Sequence, residues 1–197
     1  MVALNSLSQI TLKATMPGVP DFYQGTEFWD FSLVDPDNRR PVDFAERADV
    51  LGSLEAPDWT GLVQDWSSGH LKLAWTRHLL KLRTELADVF TNGDYQPLEL
   101  NGGHRDHFIA FARRAGRDAA IVVVTKSSAA FTEGGRAWPR PESYDALLNL
   151  SGYSAEGFAD ADATQLRLAD LLGHLPVAVL KAGYHGAAKS ARKRNRA

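Results

Sequence analysis

The chain has 197 residues, 44% of them hydrophobic, a formal net charge of −2 and no cysteine. That is apolar content enough for a real core, but it excludes a disulfide framework or a thiolate nucleophile, and no run approaches the roughly 18 apolar residues of a membrane span. Met1 to Pro20 lacks the basic and long apolar regions of a secretory signal, so a soluble protein of a reducing cytoplasm is expected.

Leu4, Leu7, Ile10 and Ala14 recur at spacings of three and four, the buried stripe of an amphipathic helix. Pro17-Gly18 ends it. Val19 to Tyr23 is then a short apolar run, entered through Pro-Gly and left through Gln24-Gly25, which predicts a buried strand opening into a loop. Helix, turn, strand and polar loop make one step of an α/β winding, and such folds bind ligands at the carboxyl ends of their strands. Tyr23, Gln24, Glu27, Asp35, Asp37, Asn38, Arg39 and Arg40 therefore fall where a ligand is expected. Pro36 gives Asp35 and Asp37 the look of turn geometry, and Asp37-Asn38 favours side chain to backbone bonding. Together with Asp21, Glu27 and Asp43, these acids read as turn formers and arginine partners rather than as catalysts.

Asp43 as N-cap, with Glu46 three residues on, predicts a short helix over Phe44 to Leu54. The rest of Ala45 to Gly69 reads as a connection broken by Gly52-Ser53, Pro57-Asp58 and Ser67-Ser68-Gly69. Trp59 and Trp66 within it suit sugar stacking, although such residues more often pin a linker to a neighbouring core. Leu71, Trp75, Leu79, Leu82, Leu86 and Val89 then form the clearest helical stripe, with Lys72, Arg77, Lys81 and Glu85 on other faces and Asn92-Gly93 as the stop. His78 sits at the edge of that stripe, as a tolerated neighbour rather than a ligand or base.

From Tyr95 the period changes to that of strands. Gln96 to Leu100, His107 to Arg113, Ala119 to Thr125 and Val177 to Leu180 are the expected strands, with a weaker one near Ser143 to Leu150, and Ile121 to Val124 reads as buried on both faces. A small antiparallel β-sandwich follows. His104-Arg105-Asp106-His107 brings two imidazoles and a carboxylate together, but zinc needs three or four converging ligands, and turn structure is the preferred reading; no metal site is expected. Residues 189–197 hold five bases and no acid. With no interleaved aromatics and an acidic body ahead of it, this reads as a disordered solvated tail rather than a nucleic-acid contact.

Pro-Gly-Val-Pro-Asp-Phe-Tyr-Gln-Gly-Thr-Glu at 17–27 and Leu-Val-Asp-Pro-Asp-Asn-Arg-Arg-Pro-Val-Asp-Phe at 33–44 resemble the last barrel strand and following loop of the maltooligosyl trehalose synthases, of the α-amylase superfamily. The first motif is shared loosely across the superfamily, and the second is far narrower. The likeness extends with weaker motifs over the helix at 70–90 and the β segment to about residue 182. It implies an α+β chain: the end of a (β/α)8 barrel, its last helix, strand, loop and helix (1–93), then an antiparallel β-sandwich domain (94–184) and the basic tail (185–197). A whole barrel needs about 200 residues or more, so none fits beside the β half.

The family's activity turns the reducing-end α-1,4 linkage of a maltooligosaccharide into an α,α-1,1 linkage by intramolecular transfer, without a cofactor. Retaining chemistry of this type needs a nucleophilic carboxylate and a carboxylic acid about 5 Å apart. The resemblance puts the family's catalytic carboxylates on the fourth, fifth and seventh barrel strands, which precede the segment matched here, so no catalytic residue is expected in this chain. Tyr23, Gln24, Glu27, Asp37, Asn38, Arg39 and Arg40 are expected to bind substrate, with Asn38 and the guanidinium of Arg39 suited to sugar hydroxyls or to orienting a carboxylate. The implied partners are a maltooligosaccharide, if the barrel is completed, and an N-terminal barrel segment; neither nucleic acid nor membrane is expected. The alternatives are a stand-alone α-glucan-binding module and a scaffold that completes a split barrel.

Overall fold

The computed structural model describes residues 2–158 and 164–186; the basic tail at 189–197 lies outside them. The first stripe forms helix α1, Val2–Thr15, with Leu4, Leu7, Ile10 and Ala14 buried. Helix α2, Phe44–Ser53, starts where expected, the Asp43 carboxylate accepting the Glu46 amide at 2.9 Å. The connection that follows contains one more helix, α3, Trp59–Gln64, capped by Asp58.

The long stripe gives two helices rather than one. Helix α4, His70–Glu85, ends at Leu86, whose backbone leaves the helical region at φ −111° and ψ 42°. Helix α5, Ala87–Thr91, sets off again, with Val89 and Phe90 buried in the same core as Phe111.

The β half forms two antiparallel sheets. Strands β1 (Asp94–Pro97), β3 (Phe108–Ala115), β4 (Asp118–Thr125), β6 (Tyr153–Ala155) and β8 (Val177–Tyr184) make one, in the order β1-β3-β4-β8-β6. Strands β2 (Leu100–Asn101), β5 (Leu147–Asn149) and β7 (Gln165–Arg167) make the other. The expected Gln96 to Leu100 strand is therefore two strands in two sheets, and the weak signal at Ser143 to Leu150 contracts to β5.

Alternation sorts the large sheet into two faces. Phe111, Ala120, Val122, Val124, Val177 and Val179 meet Leu7, Ile10, Leu71, Trp75 and Leu79 of α1 and α4. Ala110, Ala112, Ile121, Val123 and Ala178 meet Leu148 of the small sheet, with Phe131, Tyr144 and Leu168. Ile121 to Val124 are thus buried on both faces, as their unbroken apolar run predicts.

Val19 to Tyr23 is the correction. It is not a strand but irregular coil, with Val19 97% exposed. A buried strand needs hydrogen-bonding neighbours on both sides, none pairs with this run among the described residues, and Pro20 offers no amide to a ladder.

Polar contacts stitch the helices to each other and to the sheet. The Ser8 hydroxyl donates to the Thr125 carbonyl and the Trp75 indole to the Thr11 hydroxyl, both at 2.7 Å. At the far end of α1, the fully buried Arg113 of β3 donates to the carbonyls of Thr15 (2.9 Å), Phe90 (3.2 Å) and Gly93 (2.9 Å). Arg113→Met would leave three carbonyls without these donors, at about 1–3 kcal/mol for each that stays buried and unpaired. A fall in unfolding free energy of roughly 3 kcal/mol or more is expected, read as a lower urea midpoint at unchanged slope; a midpoint equal to wild type would deny Arg113 this role.

Candidate functional site

The loop between α1 and α2 builds the site from two tight turns. In the first, the Thr26 amide and hydroxyl both donate to the Tyr23 carbonyl, at 3.2 and 2.7 Å, and Gly25 takes φ +89°. That glycine is required: a Cβ there would lie 2.7 Å from Cγ2 of Val42. In the second, the 3₁₀ turn Asp37–Arg39, one Asp37 carboxylate oxygen accepts the Leu33 amide at 2.7 Å while the other takes the Arg40 guanidinium. The Leu33 amide, and then Arg40, hold the Asp37 carboxyl below the usual carboxylate range.

Between the turns lies a polar cleft of about 340 Å³, lined by Tyr23, Gln24, Trp29, Asp30, Asn38, Arg40, Asp43 and Arg47 among others. Four of the seven substrate-binding candidates, Tyr23, Gln24, Asn38 and Arg40, are thus brought to one cavity. The Asn38 side-chain carbonyl oxygen is buried and accepts no hydrogen bond among the described residues. The other three candidates are placed otherwise. Asp37 stands behind Arg40; Glu27 accepts the Gly25 amide at 3.2 Å and the Arg47 guanidinium at 2.8 Å; Arg39 pairs with Asp35 at 2.5 Å on the exposed surface, outside the cleft lining.

Trp29, Asp30 and Arg47 join the site without a sequence signal of their own. Trp29 is held by its indole, which donates to the Trp66 carbonyl at 2.6 Å. Asp30 accepts the Ser32 amide at 2.9 Å, and its bonds to Ser32 lower its pKa. Beneath them is Lys72, which the helical stripe assigns to an outer face but which the structure buries; its ammonium donates to the Phe28 carbonyl at 3.0 Å. Burial pulls the Lys72 pKa down. The loop approaches α4 this closely because Gly69, at φ +85°, has no Cβ, which would lie 2.9 Å from Cβ of Phe28.

The other candidates take structural places. Trp59 packs edge-on against Trp75, ring centres 5.8 Å apart, the pinning role expected of a linker aromatic. His78 lies stacked on Trp75 at 5.1 Å, and burial lowers its pKa. His104 accepts the Asp145 amide through Nδ1 at 3.0 Å, and His107 is bonded to the Ser127 carbonyl at 3.0 Å. No group of three or more potential metal ligands occurs among the described residues, nor any helix long and apolar enough to cross a membrane.

No profile of a known protein family matches the chain. Proteins of two Mycobacterium tuberculosis strains, CDC 1551 / Oshkosh and H37Rv, provisionally described as maltooligosyl trehalose synthase, are 35% identical to it over 183 residues, 89% of this chain and 20% of theirs. The solved structure of maltooligosyltrehalose synthase from Arthrobacter ramosus is similar over 91% of this chain and 22% of that one, at 31% identity and a TM-score of 0.68; a point mutant of it gives 32% and 0.70. The chain spans about one fifth of the length of the curated relatives it matches. By sequence and by backbone alike, it matches the C-terminal region of the maltooligosyl trehalose synthases.

Proposed function

We propose that this chain supplies one wall of the substrate site of a trehalose-forming glucan mutase, holding a maltooligosaccharide while carboxylates from the rest of the barrel do the chemistry. The observation that carries this reading is the cleft: Tyr23, Gln24, Asn38 and Arg40 converge on it, and the same loop bears the narrow motif at 33–44. Hydroxyl-rich ligands suit such mixed donors and acceptors. In this reading residues 1–93 are the end of a (β/α)8 barrel, 94–184 a β-sandwich whose two sheets face each other, and the protein works in the cytoplasm.

The chain alone is inactive in this proposal. Three of its acids near the cleft are already committed: Glu27 to Arg47, Asp37 to Leu33 and Arg40, and Asp43 to the cap of α2. A retaining mechanism asks instead for two carboxyl groups about 5 Å apart across the scissile bond. The missing barrel segment also has a surface waiting for it. Val19, Phe31, Leu33 and Val34 are 74–97% exposed in the same loop, a density of bare apolar groups that marks interaction surface. This favours the scaffold reading over a stand-alone glucan module, since of the two tryptophans that module would use Trp59 is packed on Trp75, although Trp66 is 43% exposed.

Titration with maltopentaose should change the tryptophan emission at sugar concentrations on the order of millimolar, through Trp29, while the reducing ends persist. A silent titration would remove the glucan reading, and a non-reducing, trehalose-capped product would remove the inactivity. Gly25→Ala should abolish the emission change and destabilise the chain by about 1–2 kcal/mol, since its Cβ meets Val42 at a positive φ. Gly52→Ala, in helix α2 with open space around it, is the control and should bind like wild type.

A further inference from the structure

We propose that Arg47 is the positioning residue that sets the spacing between the two walls of the cleft, and that glucan binding depends on that spacing; the second clause rests on the reading of the cleft as a sugar site. The Arg47 side chain, on the second turn of α2, is only 17% exposed. Its guanidinium donates from Nε to Glu27 at 2.8 Å, from one terminal nitrogen to the Gly25 carbonyl at 2.9 Å and from the other to the Asp43 carbonyl at 2.9 Å. It also lies 4.7 Å from the centre of the Phe28 ring.

Gly25 belongs to the first wall of the cleft and Asp43 to the second, and both line it. A planar fork that donates to both at once holds them at the separation its own covalent geometry dictates. The Val42 side chain beside Gly25 is a second link between the walls, but an apolar contact fixes no direction. Glu27 accepts from both Arg47 and the Gly25 amide, so its carboxylate locks the turn to the fork. Among the binding candidates Glu27 thereby becomes part of the wall rather than a group offered to the sugar.

Lysine is the informative replacement. Arg47→Lys keeps the charge beside Glu27 but offers a single point of donation, which cannot bridge the Gly25 and Asp43 carbonyls as the fork does. On the full chain we would measure hydrogen exchange at the Gly25 and Thr26 amides, the maltopentaose Kd and the urea midpoint. Exchange at both amides should quicken by about tenfold or more, and Kd should weaken by about tenfold, the equivalent of one charge-assisted hydrogen bond. Wild-type exchange in Arg47→Lys would overturn the proposal. So would a lower midpoint with an unchanged Kd, the sign of a residue that only stabilises. Should wild type itself ignore maltopentaose, the glucan reading alone falls, and amide exchange decides the role of Arg47. Glu27→Gln, which weakens the acceptor without removing the fork, should quicken Gly25 exchange less than Arg47→Lys; an equal or larger effect would place the control in Glu27 and overturn the assignment to Arg47.

Discussion

The buried guanidinium of Arg113 is the joint on which the two halves of the chain turn. It projects from the middle of β3, where alternation puts it on the helix-facing side with Phe111, and there it meets the last carbonyl of α1, one from α5 and that of Gly93. Helix carbonyls at a C-terminus carry partial negative charge and have no partner within the helix. A fixed cation in a planar fork answers both needs at once. Arg83 does the same one residue earlier, donating to the Ala14 carbonyl at 2.6 Å with its guanidinium 5.3 Å from the centre of the Phe90 ring. Two like charges converge on one helix end because the acceptors there are several, and burial lowers the pKa of each.

That joint matters to the site because the loop leaves α1 directly after Thr15. With the helix end fixed against the sheet, the loop starts from a rigid point, and α2 and α4 hold its remaining length. Arg47 ties the first turn to the start of α2, and Lys72 ties the Phe28 carbonyl to α4. The loop contributes little apolar burial of its own: none of residues 17–43 is fully buried. Its shape therefore rests on directional bonds from buried or half-buried cations, and such bonds are stronger for being partly out of water.

What was legible in the sequence is what has a period. The stripes at Leu4 to Ala14 and Leu71 to Leu82 repeat every three or four residues, and Ile121 to Val124 is apolar without a break, so α1, α4 and β4 could be read directly. Asp43 and Glu46 announced the start of α2. The break at Leu86 carries no Gly or Pro, and β6 and β7, three residues each, are too short to show alternation. Val19 to Tyr23 misled because an apolar run bounded by Pro and Gly looks the same whether or not a neighbour is there to pair with it. Of the site, the turn-forming acids and Asn38 were visible as local chemistry. Arg47 and Lys72 were not, because their acceptors at Gly25 and Phe28 lie 22 and 44 residues away.

The loop has two chemistries on two sides, and they constrain each other. Inward it gathers Tyr23, Gln24, Asn38 and Arg40 around a polar cavity that Phe31 also lines; outward it carries Val19, Leu33 and Val34 nearly bare. Fully burying an aliphatic side chain of this size is worth about 1.5–3 kcal/mol, so any surface that covers these three gains several kilocalories without touching the cleft. Covering the outer side also rigidifies the segment between the two turns, which lowers the ordering cost of a ligand bound within. On the proposed reading, docking of a further segment and binding of a sugar would be coupled with positive sign, because the outer and inner side chains belong to the one loop between α1 and α2. A cleft whose shape is held by cations and whose outer face is apolar and bare would, on that reading, bind best once that face is covered.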